Sequence, residues 1–234
     1  MSKDRKYRTT DKMSDLICDN YSILTVMSRF SLSLGFGDKT VSEVCESQRV
    51  DTDTFLAVAN FINEGLVTYS DEIYNFSLPA MMEFLKNSHT YFMDFALPMI
   101  RRKLIEAIDF STISNVSFLI LKFFDDFTEV VRRHMEFEDR TLFNYVDKLL
   151  NGHKLKEMGI PNLTSKHDQI DTKLKELKNI IIKYYPEKAN NNLLNQVLFD
   201  IFNCEHDLDI HCQIEDYMFI PAVIRLERKM KDGQ

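Results

Sequence analysis

Two stretches of the chain share one pattern. His134-Met-Glu-Phe-Glu138 and His211-Cys-Gln-Ile-Glu215 both read HxxxE. On a helix, residues i and i+4 project from one face, so each pair aims an imidazole and a carboxylate in one direction. Two further histidines, His89 and His167, lie in apolar-periodic segments of their own. His89, His134, Glu138, His167, His211 and Glu215 make a set of nitrogen and oxygen donors without a thiolate. Such a set suits a non-haem dimetal centre of iron, manganese fitting the same donors, with the two glutamates able to bridge. Structural zinc takes four ligands and favours thiolates. Buried without a cation, these groups would be costly, and a metal removes that cost. His153 falls in a loop and His206 lies off the face of His211, so both read as polar bystanders. Asp171, four residues after His167, is a candidate additional carboxylate. Cys204, seven before His211, reads as a small core residue.

Long helices must carry these groups. The 234 residues contain 6 glycines and 5 prolines, well below the ~12% that average usage gives the pair. Few turn residues mean few connections. Apolar periodicity runs over about 80–108, 115–150, from Pro161 to Tyr185, and over 191–230, joined by FSTIS, GHKLKEMG and PEKAN. Short connections make sequential neighbours antiparallel, which predicts an all-α, up-down-up-down four-helix bundle over residues 79–234. His89 and His134 each lie about 22 residues from the centre of the first connection, and His167 and His211 about 22 from the last. Each hairpin thus sets its two histidines at one height.

Residues 13–78 read as a separate, small helical domain. A helix is expected from Ser14 to about Phe30, then a turn at LGFGDK, where glycine allows positive φ. Thr40 with Glu43 forms a capping box for a second helix, and Asp51 or Thr52 caps a third that stops near Gly65. LVTY and IYNFSL alternate weakly, as two short strands would. This is the outline of a winged helix-turn-helix. Residues 41–64, however, hold one arginine against five acidic residues, and a DNA-reading helix should face phosphates with cations. A packing or interaction module is the stronger expectation. Residues 1–12 read as a disordered basic tail.

The net charge of −7 gives no global attraction to nucleic acid or anionic lipid. No apolar run reaches 18 residues, so neither a membrane span nor a targeting segment is expected. Four scattered cysteines fit a reduced, cytoplasmic setting.

The order His … HxxxE … His … HxxxE over four helices resembles the hemerythrin-like, HHE cation-binding domain. The bundle with a small unit before it is most similar to the Ric family, di-iron proteins for repair of iron–sulfur clusters. The resemblance implies two iron ions, oxo- and carboxylate-bridged, held by the six residues above and reacting with O2 or NO. It implies a role in oxidative or nitrosative stress, or in repair of iron–sulfur proteins, which would then be partners. A second copy of the chain, as a homodimer, is a further candidate partner. The Ric proteins carry adjacent cysteines in their N-terminal domain and a further histidine in the first bundle helix; the turn LGFGDKT and the segment around His89 have neither. The alternative function is a di-iron sensor coupled to an N-terminal regulatory or interaction module.

Overall fold

The scarcity of turn residues is realised as helices, which make up all the named elements among the described residues. The computed structural model describes residues 6–64, 75–108, 115–153, 164–185 and 191–232; the side chains of a few helical residues, Asp171 among them, lie outside it. The elements are α1 (Met13–Asp19), α2 (Ile23–Arg29), α3 (Val41–Ser47), α4 (Thr52–Glu64), α5 (Leu78–Thr90), α6 (Leu97–Ala107), α7 (Asn115–Phe137), α8 (Phe143–Leu150), α9 (Thr164–Tyr184), α10 (Asn191–Ile214) and α11 (Ile220–Asp232). Among the described residues, three π-helical turns interrupt the long segments: Tyr91–Ala96, Glu138–Leu142 and Glu215–Phe219. No described helix is long and apolar enough to cross a membrane. The chain forms two compact units, Met1–Ser88 with Gln213–Gln234, and His89–Cys212.

In the first unit, the single helix expected from Ser14 to Phe30 is two. Asn20 is extended, at φ −145° and ψ 104°. Its side chain accepts the Ser22 N–H at 3.0 Å, an Asx turn that competes with helix continuation. The turn before α3 uses positive φ at Gly35 and Gly37. The Thr40–Glu43 capping box forms, and the Thr40 backbone N–H holds the Glu43 carboxyl below its ordinary pKa. Asp51 accepts from the Thr54 N–H at 2.8 Å and opens α4. Seven of the 13 residues of α4 are buried. Phe30 packs on Phe55 and, at 4.8 Å, on Phe84 of α5, while Asn87 donates to the Arg29 carbonyl at 2.8 Å. The first expected strand lies outside the described residues. The second is not a strand where it is described. Asn75–Ser77 is irregular, and the Ser77 hydroxyl accepts from the Ala80 N–H to start α5.

In the second unit, four helical legs surround one apolar core. On α7 the buried positions Ile120, Phe124, Phe127 and Val131 repeat every three or four residues, the stripe a core-facing helix needs. Arg101 of α6 grips Asp125 of α7 with two bonds of 2.7 and 3.0 Å. Lys103 of α6 meets Asp200 of α10 at 2.7 Å. Lys178 of α9 pairs with Glu205 of α10, and α7 packs along α9. Each leg therefore neighbours the next in sequence, and the last closes on the first, as an up-down-up-down bundle requires. The three connections between the legs lie largely outside the described residues.

Leu177 is fully buried in this core. Leu177→Ala should lower unfolding free energy by ~2–5 kcal/mol in urea titration; an unchanged midpoint would contradict the packing. Burial pushes the Cys45 thiol up to about 11, so it is neutral at physiological pH. Iodoacetamide at neutral pH should modify the exposed Cys18 and spare Cys45 in the folded chain, as read by peptide mass spectrometry.

Candidate metal centre

The core stripes continue directly into the polar site. His134 follows Phe127 and Val131 by seven and three residues, and His211 follows Cys204 and Leu208 in the same way. His167 precedes Ile170 and Leu174 by three and seven. Helical spacing thus delivers these three imidazoles to core-facing stripes. His89, His134, Glu138, His211 and Glu215 are each at most 4% exposed, and His167 is half-buried.

The imidazoles gather in two pairs. The rings of His89 and His211 lie 5.1 Å apart, and those of His134 and His167 lie 4.9 Å apart at 89°. Both pairs reach across helices that are not joined by the two hairpins counted in the sequence. Glu138 spans the pairs. Its Oε2 is 3.3 Å from His89 Nε2, and its Oε1 is 3.4 Å from His134 Nε2. Ring packing holds the first pair: His89 stacks on Phe143 at 5.4 Å, and Phe92 meets His211 at 5.8 Å.

Candidate ligand atoms of His89, Glu138 and His211 lie within 4.8 Å of one another, as do those of His134, His167 and Cys212. Donors on one metal at ~2.0–2.3 Å sit no more than about 4.6 Å apart, so both groups need only a small closure around an ion. Glu215, one turn beyond His211 on the same run of helix, is 1% exposed.

His89 provides a test of fit. Its Nδ1 is 2.9 Å from Asp139 Oδ1. Assigning the proton to Nδ1, which then donates to the carboxylate, leaves a lone pair on Nε2 of the neutral ring. That lone pair faces Glu138 Oε2 at 3.3 Å. Two lone pairs at this distance repel unless a proton or a cation lies between them. A carboxylate holding the far nitrogen of an imidazole is the arrangement that orients metal-ligating histidines. The donors present fit a metal.

Of the residues picked out in the sequence, His153 and His206 are exposed and Cys204 is buried in the bundle core. Two neighbours were not foreseen. Asp139 had a visible signal, because both repeats extend to HxxxED, through Asp139 and Asp216. Cys212 had none beyond adjacency to His211.

A helical bundle with buried imidazoles and carboxylates in close groups has the make-up of a cation-binding domain. The sequence model of the hemerythrin HHE cation-binding domain matches residues 80–223, and the chain belongs to that family. No curated protein matches the chain.

Asp139→Asn should weaken metal binding by about 10- to 100-fold in competition with a chelator, since the carboxylate orients His89. Unchanged affinity would show that Asp139 is a surface neighbour only.

Proposed function

We propose that the chain holds two iron ions through His89, His134, Glu138, His167, His211 and Glu215, and that it binds or reacts with O2 or NO. The observation that carries this reading is the Glu138 carboxylate, which turns one oxygen toward an imidazole of each pair. A carboxylate so placed could serve a metal held by either imidazole pair. Six protein donors would not saturate two irons, and iron held by them would supply reversible or redox chemistry toward a diatomic ligand. The chain's own residues set the conditions. Burial of His89, His134, Glu138 and His211 keeps bulk water from the donors. Asp139, with Oδ1 2.9 Å from His89 Nδ1, would orient the His89 ring. Phe92 and Phe143 provide apolar walls suited to a small, weakly polar ligand. Response to oxidative or nitrosative stress, or care of iron–sulfur proteins, is the cellular role that such chemistry suits.

Iron analysis after anaerobic purification and reconstitution tests the reading. Two irons per chain are expected, and fewer than one overturns it. His134→Ala and Glu138→Ala should each lose iron and lower the melting temperature; retention of two irons by both variants would mean the ligands are elsewhere. The absorption spectrum of the reduced, loaded chain should change on exposure to O2 or NO, and indifference to both would remove the proposed ligand.

A further inference from the structure

The rotation of α10 separates two neighbouring side chains. Asp200 pairs with Lys103 of α6, and Glu205 pairs with Lys178 of α9. These ion pairs mark which sides of α10 look toward α6 and toward α9. His211 is eleven residues after Asp200, three helical turns, and so lies on the α6 side. Cys212 is seven residues after Glu205, two turns, and so lies on the α9 side. The ring contacts agree: His211 meets His89 of the first leg. Cys212, His134 and His167 offer ligand atoms within 4.8 Å of one another. His134 is 4% exposed and Cys212 partly buried.

We propose that the Cys212 sulfur is a metal ligand, so that the centre is asymmetric. This rests on the two-metal reading above and deepens it. One position is bounded by nitrogen and oxygen donors, His89, His211 and Glu138. The other takes two imidazoles and a thiolate, His134, His167 and Cys212, with Glu138 between the two. The thiol gives its proton to solvent as the metal–sulfur bond forms. Two imidazoles and one thiolate are the donors of borderline ions such as iron, cobalt or zinc, and a poor set for manganese. The second position should therefore select its metal more narrowly than the first.

Cobalt(II) reports sulfur ligation directly, through an intense near-ultraviolet sulfur-to-metal absorption. The full chain, loaded anaerobically with cobalt(II), should bind two ions and show that band. Cys212→Ser should bind cobalt without it, with one equivalent readily removed by a chelator. Two cobalt ions without the band in the unaltered chain would overturn the proposal and leave the two-metal reading standing. No cobalt binding at all would overturn both. A band that persists in Cys212→Ser would assign it to another cysteine and overturn the proposal.

Alkylation of the unaltered chain decides the matter even if the variant fails to fold. Cobalt should protect Cys212 from iodoacetamide, while the exposed Cys18 is labelled with and without metal as the internal reference. Equal labelling of Cys212 in both states would overturn the proposal.

Discussion

The interior of the bundle holds groups that an apolar core cannot hold alone. His89, His134, Glu138 and His211 are buried beside Phe92 and Phe143. An isolated carboxylate in such surroundings carries a penalty of several kcal/mol, and each imidazole needs its ring nitrogens satisfied. Protein partners meet part of the demand, as Asp139 does for His89. The donor atoms of the site fall into two groups, within 4.8 Å of one another in each. The apolar stripe and the donor set are therefore one design. The stripe keeps four legs in register, and the donors make that register matter.

Backbone geometry changes where the donors sit. A π-helical turn begins two residues after His89, and others begin at Glu138 and at Glu215. A π turn carries one residue more than the helix it interrupts, so the stretch beyond is rotated relative to the stretch before. Site residues and the core positions past them can then satisfy different facings on one continuous rod. Two of the turns have a local reason. Pro98 and Pro221 lack an N–H and crowd the carbonyl four residues back, which belongs to Asp94 and to Tyr217, both inside a π turn. No proline lies within residues 138–150, and nothing in the local sequence accounts for the turn that begins at Glu138.

The N-terminal helices are bounded by ordinary local rules. An Asx turn at Asn20, a capping box at Thr40 and an aspartate at the start of α4 mark out their boundaries. Their sequence outlines a helix-turn-helix. Yet α4, where a reading helix would be sought, is mostly buried and begins with an acidic turn. The buried residues of α4 are committed to packing within this unit.

Helical period and chain order are local properties, so the sequence by itself determined much. HxxxE at residues 134–138 and 211–215 sets two donors on one face wherever a helix forms. Scarce glycine and proline made those helices long, and short connections made them antiparallel. The turn chemistry at Gly35, Gly37 and Thr40 was legible for the same reason. The tertiary structure alone decided the rest. Hairpin counting related His89 to His134, but the rings that meet are those of His89 and His211, because neighbours across a bundle depend on how each rod is rotated. The same rotation separates His211 from Cys212, adjacent in sequence, onto the α6 and α9 sides of α10. It brings Asp139 to His89 across fifty residues. Rotation is set by the packing of all four legs at once, and no stretch of sequence encodes it alone.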